Sequence, residues 1–181
     1  MTQAAQSAES AEGAAQGTDG TGVPDGALER MLELMTSASA GELSEGQTAE
    51  LSELFSSSIP SLDRTLGLRY VEFVPEVVVE LTVAEAHVQP WGITNGGVYA
   101  TMGESAGSFA GFIAGGGGMV MGTTNSTNFL RPSTPGDVIR STARAVHTGR
   151  TSQLWRIEHV NAGTGKLCAT TELRTVVVPR G

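Results

Sequence analysis

Between Trp91 and Leu130 the chain carries a single Asp, Glu, Lys, Arg or His, and that residue is Glu104. A carboxylate alone in an uncharged, largely apolar stretch needs a reason, because burying an unpaired ion is costly. On a buried helix it would be desolvated and more basic. Eight residues earlier stand Gly96 and Gly97. At a helix N-terminus their free N–H groups and the positive end of the dipole would favour a developing oxyanion. Glycine also lets a carbonyl come close. A carbonyl held there could be attacked by the carboxylate or by a water it activates. Eight residues of helix span about 12 Å. The substrate must therefore lie along the helix, or Glu104 must serve from a partner subunit. The plainer readings are that Glu104 pairs with Arg131 or Arg140, and that the glycine pair marks only a turn.

Gly103-Glu104-Ser105-Ala106-Gly107 also matches the G-x-S-x-G nucleophile elbow. Asp137 and then His147 or His159 follow in the order of an α/β-hydrolase triad. That elbow needs a strand, a sharp turn and a helix within a parallel sheet. Only hairpin-like strands follow Ser105, so a serine esterase is the third-ranked reading. Gly115 to Gly118 lack a phosphate-loop pattern and read as a helix exit. His87, His147 and His159 have no ligand spacing, so no metal site is expected.

The elements that would position these groups follow from pattern. Residues 1–25 are small, polar and acidic and are expected to be disordered. A helix is predicted after an Asp25 cap to about Thr36, with Leu28, Met31, Leu32 and Met35 on its apolar face. A second is predicted over Thr48 to Phe55, with Leu51, Leu54 and Phe55 inward. Pro60 to Asp63 read as a break. Strands are predicted over Leu66 to Phe73 and Glu76 to Val83. The long helix runs from about Gly96 to Ala114, apolar nearly all round and so buried. Strands follow over Met119 to Phe129, Asp137 to Thr148, Gln153 to Val160 and Lys166 to Val178. This is an α+β chain: an antiparallel sheet wrapping one helix. The expected regions are a tail over 1–25, a helical extension over 26–60 and the main domain over 61–181.

Net charge is -8, with ten acids and one base in residues 1–60 and nine acids and ten bases after them. The acidity belongs to the extension. The rest lacks the dense basic patch of a nucleic-acid surface. Cys168 is the only cysteine, which leaves no disulfide framework. The N-terminus lacks a basic region followed by an apolar core, so no secretory leader is expected. No apolar run is credible as a membrane span, since the longest is diluted by glycines and holds Glu104. A cytoplasmic protein is expected.

Gln89-Pro90-Trp91-Gly92-Ile93-Thr94-Asn95-Gly96-Gly97, with Glu104 nine residues after Asn95, resembles the hotdog-fold acyl-CoA thioesterases. The likeness spans about residues 61–179. It extends to Asn128-Phe129-Leu130-Arg131-Pro132, to Gly136-Asp137-Val138 and to His147 through Gln153. It is nearest to the branch with the 4-hydroxybenzoyl-CoA and 1,4-dihydroxy-2-naphthoyl-CoA thioesterases; the phenylacetate-pathway enzymes are more distant. The resemblance implies a hotdog fold that hydrolyses an acyl-CoA, with an aromatic acyl group and no cofactor beyond the CoA of the substrate. It implies Glu104 as nucleophile or general base and the Gly96 N–H as the group polarising the carbonyl. Gln89 would position thioester or water, and Ser108 would line the same pocket. Gly97, Arg131, Arg150, Thr151 and Ser152 would contact substrate and CoA, although Arg150-Thr151 also reads as a plain hairpin turn. A homodimer or homotetramer is implied, because the family binds CoA at a subunit interface. The chain departs from the pattern at Asn95, where the family usually has histidine. Asparagine can cap a helix but cannot carry a proton charge. That departure motivates the second reading, a non-catalytic acyl-CoA-binding protein. Trp91, Tyr99 and Phe109 are candidates for a ring pocket or for core.

Overall fold

A computed structural model describes residues 23–178. The tail expected over 1–25 lies outside the described residues as far as residue 22. The helices are α1 (Ala27–Ser39), α2 (Glu45–Glu53), α3 (Leu62–Leu66) and α4 (Gly96–Ala114). The strands are β1 (Arg69–Glu72), β2 (Val77–Thr82), β3 (Val120–Phe129), β4 (Val138–Thr148), β5 (Ser152–Asn161) and β6 (Lys166–Val177). They form one antiparallel sheet in the order β1-β2-β4-β5-β6-β3. The α+β expectation of a long helix wrapped by such a sheet holds. So do the bounds of α4.

Four local expectations differ from the structure. Asp25 is not the α1 cap; Gly26 is, in the left-handed conformation at φ 75° that glycine adopts freely. The apolar face of α1 also differs from the expected one. Ala27, Leu34 and Ala38 are buried, with Met31 and Met35 packed beside them, while Leu28 and Leu32 are about half exposed. The second helix starts earlier than expected because Ser44 and Gln47 form a reciprocal capping box. The break at Pro60 to Asp63 is instead the entry to α3, capped by Ser61 Oγ accepting from the Arg64 N–H at 3.1 Å.

The core lies between α4 and the sheet. Along α4, Gly103, Gly107 and Gly111 recur every four residues. Each faces an alternate residue of β6. A Cβ at Gly103 would fall 2.7 Å from the Thr171 Cβ, one at Gly107 2.5 Å from a Leu173 methyl, and one at Gly111 3.2 Å from the Thr175 hydroxyl. The match is geometric. Four helical residues rise about 6 Å and two strand residues about 6.6 Å, so the two chains stay in step. On the other flank, Phe109 joins Phe55, Tyr70 and Phe73 in an aromatic cluster with ring centroids 4.9–6.5 Å apart. There Asp63 accepts from Tyr70 at 2.8 Å and from Ser105 at 2.6 Å, fastening α3 and β1 to α4.

The glycine stripe predicts opposite outcomes for one substitution. Alanine in a helix is favoured over glycine by about 1 kcal/mol. Gly46→Ala in α2, with nothing within 4 Å of the new methyl, should be neutral or stabilising. Gly103→Ala meets the stiff, fully buried Thr171. Overpacking of this kind costs about 1–3 kcal/mol, and urea unfolding should show a net loss.

Candidate active site

The site builds up from the first turn of α4. Asn95 is the N-cap, and its Oδ1 accepts from the Gly97 N–H at 2.8 Å. The Gly97 N–H is therefore spent on the cap. Among the described residues nothing accepts from the Gly96 N–H, one of the free donors that every helix start leaves. The Phe129 ring lies over Gly96, so close that a Cβ there would meet its Cζ at 2.5 Å. Around this turn a cavity of about 390 Å³ is lined by Gln89, Ile93, Gly96, Tyr99, Phe129 and Arg131, among others. Tyr99 and Thr94 are anchored below it on the buried Ser133 hydroxyl, at 2.7 and 2.6 Å. Burial pushes the Tyr99 phenol up from its ordinary pKa.

Glu104 stands two turns along α4. It is half-buried rather than buried, because its side chain leaves the core and lies against the edge strand β3. Neither arginine considered for it is its partner. Arg131 donates to the Leu167 carbonyl at 2.8 Å, and Arg140 pairs with Glu80 at 2.6 Å. Its donors are neutral: Ser108 Oγ to Oε1 at 3.3 Å and Asn125 Nδ2 to Oε2 at 3.1 Å. Oε1 occupies the space that a side chain at Gly122 would fill.

The structure thus brings Gln89, Gly96 and Arg131 together in the cavity, and Ser108 to Glu104. Glu104 does not line the cavity. Arg150 and Thr151 are exposed and Ser152 half-buried in the β4–β5 hairpin. That hairpin sits by the far end of α4, where Gln153 donates to the Gly111 carbonyl at 3.2 Å. Within one chain these three residues are remote from Gly96. Of the ring-pocket candidates, Tyr99 lines the cavity, Phe109 is core, and Trp91 is 82% exposed.

The elbow reading fails on backbone geometry. Residues 103–107 lie inside α4, with no strand or turn at Ser105, and the Ser105 hydroxyl donates to Asp63. His147 is exposed on β4. His87 accepts from the Ala84 N–H at 3.0 Å. His159 is fully buried between Ser141 and Thr171.

Residues that sequence reasoning missed are Gly122, Asn125 and Phe129. Phe129 carried a signal, since it belongs to the run Asn128 to Pro132 noted above. The other two sit in the polar, exposed stretch of β3 and carried none.

Burial lowers the His159 pKa to about 4. The unfolded chain titrates this residue near its ordinary value of 6.5. Below that pH the unfolded state gains a proton that the folded state refuses, so stability falls as pH drops from about 6.5 towards 4. The slope contributed is up to about 1.4 kcal/mol per pH unit. Urea unfolding at pH 7 and 4.5 should show this loss, and His159→Gln should flatten the slope.

Residues 92–168 match the model of the thioesterase superfamily. A candidate esterase of Mycobacterium tuberculosis is 38% identical over 100 residues, covering 52% of this chain and 71% of that protein. Its structure superimposes with a TM-score of 0.63, covering 66% of this chain and 97% of that one. The proofreading thioesterase EntH of Cronobacter turicensis is 31% identical over 130 residues, 71% of this chain and 93% of that protein. The structure of a Haemophilus influenzae thioesterase, 27% identical, gives a TM-score of 0.63 over 72% of this chain and 90% of that one.

Proposed function

Since the chain belongs to the thioesterase superfamily, we propose that it hydrolyses the thioester of an aromatic acyl-CoA to the free acid and CoA, with Glu104 as nucleophile or general base. The observation that carries this reading is the state of Glu104. Its carboxylate is oriented by neutral donors, has no basic partner among the described residues, and stands on the helix whose first N–H is free. An arginine would neutralise the charge the reaction uses; an amide and a hydroxyl only aim it.

The Gly96 N–H would hold the thioester carbonyl, and Gln89 in the same cavity would position the thioester or the water. Tyr99 and Phe129, with ring centroids 6.3 Å apart, give this cavity an aromatic wall suited to an aryl group. This favours the 4-hydroxybenzoyl-CoA and dihydroxynaphthoyl-CoA branch. CoA is part of the substrate, and the reading needs no further cofactor.

The separation of Glu104 from the cavity has a simple resolution. Among the described residues strand β3 pairs only with β6, and no strand lies on its other edge. Met121 on it, and Phe129 at its end, are more than half exposed. A second copy docked along this edge would bring its own Glu104 towards the first copy's Gly96, in a homodimer or a homotetramer of two such pairs. Arg150, Thr151 and Ser152 would then reach CoA bound between subunits. In this reading residues 61–181 are the catalytic domain and 26–60 a helical extension that covers its core. No described helix is long and apolar enough to cross a membrane, and a cytoplasmic setting with free acyl-CoA is part of the proposal.

The test is thiol release from benzoyl-, phenylacetyl-, hydroxynaphthoyl- and fatty-acyl-CoAs. Aryl substrates should be turned over fastest. Glu104→Gln should fold and lose about 10²–10⁴-fold in kcat, the scale of a missing general base. Binding of CoA thioesters without hydrolysis by the native protein would instead establish the non-catalytic reading.

A further inference from the structure

We propose that Asn125 is a positioning residue for Glu104, held in place by a one-way chain of hydrogen bonds that crosses the sheet from Ser141 through His159, Thr171 and Thr127. The inference rests on the catalytic reading of Glu104. It goes beyond that reading by assigning work to four strand residues that contact no substrate.

The direction of every bond follows from chemistry at the two ends. Asn125 Nδ2 lies 3.1 Å from Glu104 Oε2 and 3.0 Å from the Ala100 carbonyl. Both are acceptors, so both amide protons are committed and the amide has one orientation. Its Oδ1 then accepts the Thr127 hydroxyl proton at 2.9 Å. With that proton spent, Thr127 Oγ1 accepts from Thr171 Oγ1 at 2.8 Å. Thr171 in turn accepts from His159 Nε2 at 2.9 Å. His159 is therefore the neutral Nε2–H tautomer, and its Nδ1 accepts from Ser141 Oγ at 2.7 Å. An acceptor-only carboxylate at the edge thus dictates a histidine tautomer two strands in from β3. The strong depression of the His159 pKa by burial agrees with a neutral ring.

The chain uses the register of the sheet. Ser141 is paired with His159 across β4 and β5, and Thr127 with Thr171 across β3 and β6. Asn125 and Thr127 are two apart on β3 and so share a face. Ser141, His159 and Thr171 are fully buried, whereas Thr127 is half-buried and Asn125 exposed. The row thus has a rigid root and a solvent-side tip. That is the arrangement needed to fix one carboxylate oxygen, Oε2, while leaving Oε1 beside Gly122 and Ser108 for the reaction. Apolar residues would pack the root as well as the polar row does. The termination of the row on Glu104 is what a packing role leaves unexplained.

The test measures kcat and KM separately for thiol release by the full chain. Asn125→Ala should lower kcat about 10–100-fold, the scale for a misaimed reacting group, with KM within about twofold. Thr127→Val, which removes the hydroxyl at constant size, should lower kcat in the same way, and Thr127→Ser should restore it. In a Glu104→Gln background Asn125→Ala should cause no further loss, because the group it aims is gone. Full kcat in Asn125→Ala or in Thr127→Val, or an equal added loss in the Glu104→Gln background, overturns the proposal. If Asn125→Ala does not fold, the Thr127 pair decides alone. A dead Glu104→Gln beside a fully active Asn125→Ala rejects the positioning role and leaves the catalytic reading standing. A fully active Glu104→Gln overturns both.

Discussion

The close approach of α4 to β6 is the constraint on which the rest depends. Three glycines on one helical stripe let the helix axis settle onto the strand, and side chains of β6 fill the space that β-carbons would take. The step of four on the helix and two on the strand keeps the contact in register over three repeats. A helix held at this distance cannot slide or roll without driving a glycine onto Thr171 or Leu173. Its remaining faces are then fixed. Phe109 and Ala110 point to the aromatic cluster, and Ser105 meets Asp63. Glu104, next to the glycine that touches Thr171, is turned towards the neighbouring strand β3.

The same constraint explains why the site is divided. Among the described residues the sheet wraps most of α4 but ends at β3, and the helix flank carrying Glu104 and Ser108 faces this polar, exposed edge strand. The free N–H at Gly96 lies two turns away in its own cavity. Rigidity prevents the chain from closing that gap by bending. In the proposed dimer it would let each half be presented accurately to a second copy. An open strand edge is a liability in a monomer, and the β3 edge left unpaired among the described residues borders Glu104.

Much of this was legible in the sequence, for physical reasons that differ by element. The bounds of α4 were readable because Asn95 is a strong cap and Gly115 to Gly118 a strong stop, with apolar and small residues throughout. The strands were readable because hairpin turns separate alternating segments. Glu104 was legible as an anomaly of composition. The start of α1 was not, because the backbone freedom of Gly26 outweighed the side-chain cap of Asp25. The state of Glu104 was misjudged as buried, because periodicity places a residue on a face of a helix and does not say where the covering sheet stops. Asn125 was invisible for a related reason. Its meaning arises only from the pairing of β3 with β6 and the packing of β3 on α4, both long-range. Ser105 was the opposite case: a local pattern with chemical associations that the continuous helix and Asp63 leave without a role as nucleophile.

The position of Glu104 at an edge also answers the question its isolation raised. In the core, a lone carboxylate would need a cationic partner, because desolvation without one is prohibitive. Glu80 shows that solution in this chain. It is buried on β2 and held by Arg69 and Arg140 from the flanking strands. Such a carboxylate is stable and chemically quiet. Glu104 takes the other course. Half-exposure to water removes most of the desolvation cost, and the orientation lost by leaving the core is restored by Asn125 and Ser108. An amide and a hydroxyl fix direction without cancelling charge. The two glutamates, one neutralised inside the sheet and one aimed at its rim, differ in the charge of their donors: arginines cancel the first, and an amide and a hydroxyl leave the second its charge, as the proposed role of Glu104 requires.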